Sequence, residues 1–272
     1  MTQEAEKFKL ENKIDYSSLG LQDFNTFPLL CGIYKFSTGK FDFDLICIRN
    51  DDSSVVDHFW KGKKNVPDLN LWGEITKPKG IFIDVGSHTG LYTIVGLLSN
   101  PDNFLISIEP SYLNVGRMMS NLRLNNLFKN HVKILGAASN ITGVKNFSFH
   151  SDPSYMSKGG KISEKGENIN VLKLDDITIN DTRKVRGLKI DTEGEDYKVL
   201  LGAKNIITEN LPDIIIEVRE DNKILIKDFL INFGYQFFLI SDTLKEINMV
   251  KLKINESINI FATVNQKLFI NK

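Results

Sequence analysis

The sequence predicts an α/β fold: a doubly wound, mostly parallel sheet flanked by crossover helices and preceded by an N-terminal elaboration that contains β-structure. Two observations carry this. From residue 81 onward, short apolar runs of strand length alternate with segments whose apolar residues recur at helical period, the pattern of parallel strands joined by helices. At 272 residues and 42% hydrophobic content the chain can bury one substantial core, whereas two equal domains fit that length poorly. The expected division is an N-terminal extension over residues 1–73 and a main domain over residues 74–272.

The elements follow in order. Residues 1–20 are polar and are expected to fray or pack loosely on the body. Ile33, Tyr34, Phe36, Phe41, Phe43, Leu45, Ile46 and Ile48 cluster around Ser37-Thr38-Gly39-Lys40, which predicts a β-hairpin. Residues 57–72, with aromatic and basic residues mixed before Pro67, read as a helix followed by a loop. Residues 81–85 are apolar but for Asp84, hence a strand buried on both faces, and Leu91, Ile94, Val95 and Leu98 then fall on one helical face. A second strand over 104–108 ends at Glu109-Pro110, where the proline suits a helix start, and Val115, Met118, Met119 and Leu122 mark that helix. Residues 131–135 are a third strand running into Gly136-Ala137-Ala138-Ser139.

About fifty residues then separate this strand from the next crossover, too many for a plain connection. Phe147 and Phe149, and later Ile169 and Val171, alternate with polar neighbours as in short strands, with a polar loop over 151–168 expected near the active site. The regular pattern resumes with a strand at 185–191, a helix at 195–207, a strand at 213–218 and a helix at 221–233 stopped by Gly234. Two last strands, 235–240 and 258–264, are placed to pair as a closing antiparallel unit, which makes seven strands in the main sheet.

Composition narrows function. The 34 basic and 34 acidic residues cancel, so there is no positive field to hold a polyanion, and a nucleic-acid partner is not indicated. Cys31 and Cys47 are too few for a disulfide framework or a cysteine zinc site, and reduced thiols in the cytoplasm are expected. Residues 1–20 have neither the apolar run of a secretory signal nor that of a membrane span.

In open α/β sheets ligands bind beyond the carboxyl ends of the strands. The residues there are Asp84 and Gly86, then Glu109, then Ser139 and Asn140, then Asp191 and Glu193, then Glu217. Glycines at 86 and 90 between a buried strand and a helix allow close approach of a ligand to the backbone. Glu109 follows Gly86 by 23 residues, near the roughly 20-residue offset at which a carboxylate takes the ribose hydroxyls of a bound nucleoside. A dinucleotide site would add a middle glycine for its pyrophosphate, and this turn has none; Asp84 would repel a pyrophosphate and attract an ammonium group.

Asp84-Val85-Gly86-Ser87-His88-Thr89-Gly90, Ile108-Glu109-Pro110, Leu174-Asp175-Asp176, Lys189-Ile190-Asp191-Thr192-Glu193-Gly194-Glu195 with Val199-Leu200 and Gly202-Ala203, and Pro212-Asp213-Ile214-Ile215-Ile216-Glu217 together resemble the ordered landmarks of the FkbM-type methyltransferases. The resemblance implies a class I methyltransferase fold, a Rossmann-like seven-stranded sheet with one antiparallel strand. It also implies S-adenosylmethionine as cofactor and O-methylation of a hydroxyl on a sugar, glycan or secondary metabolite. By the same resemblance Asp84, Gly86, Ser87, His88 and Gly90 hold the methionine part, Glu109 with Pro110 the ribose, and Ala138 with Ser139 the adenine edge. His88 departs from the family, which usually has Asn there, and Asn140 stands where an acidic residue is common.

Methyl transfer from a sulfonium to a hydroxyl is an in-line displacement, helped by a base that removes the hydroxyl proton. Asp191 is the first candidate, with Glu193 and Lys189 beside it. The alternative is that Asp191 only orients the cofactor while Glu193 caps the following helix. A divalent metal on Asp191 and Glu193 is a further alternative, though carboxylates at a helix start need no metal to explain them. His150 is another base candidate; His58 and His131 have no companions that suggest ligation, and Phe59-Trp60 read as ordinary packing. Two rival functions stand beside this one. Lys189, Asp191 and Glu217 superficially resemble RNA ribose 2'-O-methylation machinery, and a methyltransferase-like fold can serve as a non-catalytic binding module.

Overall fold

The computed structural model describes residues 3–20, 22–62, 66–149, 160–177 and 182–265. The N-terminal part consists of helix α1 (Gln3–Glu11), an antiparallel hairpin of β1 (Cys31–Ser37) and β2 (Asp42–Ile48), and helices α2 (Ser53–Lys61) and α3 (Pro67–Ile75). Residues 1–20 were expected to pack loosely, yet within the described part Ala5 is fully buried and Tyr16 nearly so. The apolar residues are too sparse there to show a period, but they converge on one partner. Trp60 is completely buried and meets the rings of Phe8, Tyr16, Phe24, Phe27 and Phe59 at centroid distances of 5.9, 5.6, 6.1, 5.0 and 4.8 Å. Pro67, within the stretch read as a helix followed by a loop, begins a second helix. It opens α3 at the first helical position, where its missing N–H leaves no bond unmade.

The main sheet uses β3 (Ile81–Val85), β4 (Phe104–Glu109) and β5 (His131–Leu135), with α4 (Leu91–Ser99) and α5 (Tyr112–Leu124) as crossovers. An inserted four-stranded sheet follows, of β6 (Ala137–Ala138), β7 (Gly143–Phe149), β8 (Gly160–Ile162) and β9 (Glu167–Leu172), in the order β6-β9-β7-β8. The chain returns through β10 (Val185–Ile190), α6 (Asp196–Gly202), α7 (Lys204–Asn210), β11 (Asp213–Val218), α8 (Lys223–Ile231), β12 (Gln236–Leu239), β13 (Lys245–Glu246) and β14 (Ile258–Thr263). The large sheet runs β13-β12-β14-β11-β10-β3-β4-β5. Pairs from β11 to β5 are parallel, and β14 runs antiparallel between β11 and β12, so the last two long strands close the sheet as their position suggested. A two-residue strand, β13, adds an eighth member that no apolar run announces.

Strand period places alternate residues on opposite faces. Phe82, Leu105, Ile215, Phe238 and Phe261 join the N-terminal aromatic cluster and α3, α4 and α5 in one continuous apolar core, while Ile83, Ile106, Leu188, Ile214 and Ile260 face α6, α7 and α8. The hairpin is tied to this body by α5, where Asn121 Oδ1 accepts from Ile46 N (2.9 Å) and Asn125 Oδ1 from Asp44 N (2.8 Å), so one face of the helix satisfies the free edge of β2. The helix expected over 195–207 is two helices. Gly202 lies so close to the Ser139 carbonyl that a Cβ would sit 2.1 Å from it, and the chain turns there before α7 begins. In the insertion, residues 160–168 are not all loop, since they hold β8 and the start of β9; the remainder of that loop, 151–159, and His150 lie outside the described residues.

Because Trp60 joins the N-terminal elements to the core beneath the sheet, Trp60→Ala should lower the unfolding free energy by about 3–5 kcal/mol. Urea denaturation is expected to show a lowered midpoint; an unchanged midpoint would mean that this cluster does not hold the extension to the body.

Candidate active site

The sheet reverses its winding between β3 and β10, and a cavity of about 480 Å³ opens at the carboxyl ends of these strands and β4. The two strand ends are pressed together. Asp191 N donates to Val85 O (3.0 Å), and a Cβ added to Gly86 (φ +74°) would lie 1.7 Å from Asp191 O. The first glycine of the turn is therefore required by the protein's own next strand. Gly86 and Ser87 donate to Ile108 O at 2.9 and 3.2 Å, which turns the chain across the end of β4 and into α4, whose N-cap is Gly90.

Glu109 is 3% exposed and reaches the cavity wall. Its Oε2 accepts from His88 N (3.0 Å), while Oε1 accepts from Ser111 N (3.0 Å) and Asn114 Nδ2 (3.1 Å). A carboxylate offers about four acceptor positions. Three are taken by the chain, so Glu109 first fixes the glycine turn and the start of α5 and retains acceptor capacity on Oε2. His88 adopts a left-handed conformation (φ +48°), which explains why its side chain does not interrupt the turn's contact with Glu109: the contact is through its backbone.

Asp84 is not among the residues lining the cavity. It is 1% exposed, and its Oδ2 accepts from Thr93 Oγ1 (2.7 Å), which in turn is 2.6 Å from Ser107 Oγ, with His131 Nε2 2.9 Å from that hydroxyl. Asp84 Oδ1 has no hydrogen-bond partner among the described residues. Burial pushes the Asp84 carboxyl up to about 6, and the same cause with nearby Lys133 pulls His131 down to about 4. The nearby Lys189 ammonium opposes that rise by favouring the ionised form of Asp84.

Lys189, on β10, is 1% exposed at its side chain yet borders the cavity. Its Nζ donates to Asp191 Oδ2 at 3.0 Å and stands 4.9 Å above the Tyr92 ring. Asp191 is 38% exposed at its side chain and faces the open space. Glu193 also borders the cavity, but it does not cap the following helix: its Oε2 accepts from Arg219 Nη2 (2.7 Å), which also donates to Glu217 (3.2 Å). The turn is held by Asp196, which accepts from Thr192 N, Thr192 Oγ1 and Gly194 N at 2.9, 3.0 and 3.2 Å. Burial raises Asp196 and Glu217 above the ordinary carboxyl range.

Pro110 and Ala138 line the cavity, whereas Gly90 and Ser139 lie behind it; Ser139 Oγ donates to Glu195 Oε2 (3.1 Å). Sequence reasoning missed Ser53, Ser54, Tyr92, Phe147, Ile162 and Glu195 on the wall. Only Tyr92 carried a signal, one residue into the helix after the glycine turn; the others arrive from the N-terminal part, the inserted sheet and the exit of β10. Among the described residues no group of three or more His, Cys, Asp or Glu side chains is arranged to hold a metal, and no helix is long and apolar enough to cross a membrane.

The cavity fits a nucleoside with a charged tail. Its size is that of a small-molecule site, its Ile108, Pro110, Ala137 and Ala138 wall suits a flat base, Glu109 keeps an acceptor, and the buried hydroxyl of Ser87 lacks a partner. Fold and site together are those of a Rossmann-like sheet with a nucleoside-sized cavity at its switch point. The profile of the methyltransferase FkbM domain matches residues 84–237, more than half of the chain, and the protein belongs to that family. No curated protein matches the sequence. Among solved structures, the FkbM methyltransferase of Methylobacillus flagellatus aligns with a TM-score of 0.46 at 15% identity, covering 77% of this chain and 53% of its own, so this chain spans about half of that protein. TYW2 of M. jannaschii, solved in complex with AdoMet, aligns at 0.46 with 13% identity over 86% of this chain and 85% of its own. Precorrin-6y C5,15-methyltransferase of Geobacter metallireducens aligns at 0.44 with 13% identity over 74% of this chain and 90% of its own.

The Asp84 carboxyl is raised from 3.8 to about 6 in the folded chain, so the native state holds a proton there that the unfolded state releases. Its contribution is fully present below about pH 4 and is lost as pH rises through about 6, an effect on the order of 3 kcal/mol. Asp84→Asn is expected to remove this part of the decline in chemical-denaturation stability between pH 4 and 7. Parallel pH profiles for the two proteins would contradict the burial of the charge.

Proposed function

We propose that this methyltransferase transfers the methyl group of S-adenosylmethionine to a hydroxyl oxygen of a sugar, glycan or secondary metabolite. When bound, the cofactor supplies an electrophilic methyl on a sulfonium. The observation that carries the reading is the pair formed by buried Lys189 and cavity-facing Asp191, 3.0 Å apart at the carboxyl end of a central strand. Asp191 would accept the proton of the acceptor hydroxyl while the oxygen–carbon bond forms and the carbon–sulfur bond breaks, its electron pair leaving with the neutral thioether, and the Lys189 ammonium would hold that carboxylate in place and offset the negative charge growing on the oxygen. Leu91, Tyr92 and Phe147 give the wall the apolar surface that keeps water from competing as acceptor. Glu193, already gripped by Arg219, is a hydrogen-bond acceptor for a further hydroxyl at the mouth.

In this reading Glu109 takes the ribose, the turn of Gly86, Ser87 and His88 the methionine part, and Pro110 with Ala138 the base, while Asp84, Gly90 and Ser139 support these groups from behind. The rim carboxylates Asp191, Glu193 and Glu195 would repel a phosphate backbone, which favours a neutral hydroxyl acceptor over RNA. The two free thiols, exposed Cys31 and buried Cys47, suit a cytoplasmic setting.

The test is transfer of labelled methyl to a panel of sugars, nucleotide sugars and glycolipids, followed by the Asp191→Asn variant on the best acceptor. The variant should lose roughly 10²- to 10⁴-fold in kcat while binding S-adenosylhomocysteine within about twofold of the parent. Undiminished turnover would remove Asp191 as base.

A further inference from the structure

One end of the cavity is built from outside the family-matched span. Ser53 and Ser54 are the first two residues of α2, a nine-residue helix, and both line the cavity. First-turn amides have no intrahelical acceptor, and neither the N–H groups nor the hydroxyls of these serines have a hydrogen-bond partner among the described residues. A second observation comes from the glycine turn. Ser87 is 5% exposed, its Oγ is buried without a partner, and it borders the same space. The helix start and the turn are joined by Asp52, the N-cap of α2. Its Oδ1 accepts from Val55 N (3.0 Å) and its Oδ2 from Thr89 Oγ1 (2.6 Å), so the start of the helix is fastened to the glycine turn itself. Both Asp52 oxygens are engaged, the residue is fully buried, and it does not line the cavity.

A cluster of N–H and O–H donors at the positive end of a helix dipole, with no cationic side chain among Ser53, Ser54 and Ser87, suits a singly charged, planar anion with two oxygens. We infer that the amino end of α2, with Ser53, Ser54 and Ser87, is a carboxylate site that receives the amino-acid tail of S-adenosylmethionine. The N-terminal extension then completes the cofactor site rather than merely covering the sheet. The inference rests on the cofactor placement proposed above and is independent of the choice of Asp191 as base. An acceptor carboxylate has the same chemistry as the cofactor tail, and the two sources are separated by the probes.

The full-length protein is titrated by calorimetry with S-adenosylhomocysteine and with its decarboxylated analogue, which keeps the nucleoside and the amine. The wild type should prefer the carboxylate-bearing ligand by roughly tenfold or more. Ser53→Pro removes one N–H and one hydroxyl at a position that tolerates proline, and Asp52 before it is already extended (φ −118°, ψ 104°), as a residue preceding proline must be. Ser87→Ala removes the hydroxyl on the glycine turn and stands as the second variant should the first unfold. Each should weaken S-adenosylhomocysteine about tenfold and leave the decarboxylated analogue within about twofold, with melting temperature near the parent's. Equal wild-type affinity for the two ligands would assign the site to an acceptor or to none, and equal weakening of both ligands by the variants would make the serines structural; either result overturns the inference. Failure of the wild type to bind either ligand would instead remove the cofactor placement beneath it.

Discussion

The contact on which the site depends is the closure of β3 against β10 at their carboxyl ends. Asp191 donates its N–H to Val85 O, and its own carbonyl occupies the space where any side chain at residue 86 would begin. A Cβ there would drive the strands apart at the point where the sheet changes winding. Because they stay together, Lys189 and Asp191 stand beside the glycine turn, and one cavity is shared by the end of β4, the turn and the exit of β10. The turn is then fastened at two further points, to Glu109 through His88 and to Asp52 through Thr89. Three distant stretches of sequence thus meet on the five-residue turn, so its place at the cavity is set by the chain's own contacts.

Charge is arranged around the same closure. A buried ammonium is costly unless it is paired, and Lys189 has Asp191 at hydrogen-bond distance, Asp84 within electrostatic reach and the Tyr92 ring beneath it. On the far side of Asp191, Glu217 is pushed toward its neutral form first by burial and then by Asp191 itself, while Arg219 draws Glu193 and Glu217 together. Negative charge is concentrated on the groups that face the cavity, where the proposed reaction places a sulfonium and a departing proton. Asp84, which the sequence presented as a cofactor contact, stands one layer back, and the chain from Asp84 through Thr93 and Ser107 to His131 fixes one of its oxygens.

What could be read beforehand follows the range of the interactions. The parallel strands were visible because strands covered on both faces are apolar at every position, as in Ile81-Phe82-Ile83 and Ile214-Ile215-Ile216. The strand-end acids Glu109 and Asp191 were visible because the fold puts such residues at the cavity whatever their neighbours are. The N-terminal packing was hidden, since Ala5, Tyr16 and Phe24 are isolated apolar residues in polar segments whose common partner, Trp60, is remote in sequence. Ser53 and Ser54 were silent for the same reason: two serines before an apolar helix look like any helix start, and only the Asp52–Thr89 bond brings them to the cavity. Gly86 was legible as a place for close approach to the backbone, and what approaches it is the Asp191 carbonyl at the exit of β10.

The most direct test is a crystal structure of the protein with S-adenosylhomocysteine. The account predicts the ribose hydroxyls at Glu109, the base against Pro110 and Ala138, and the sulfur directed toward Lys189 and Asp191. A nucleoside bound elsewhere, or one whose sulfur points away from that pair, would contradict it.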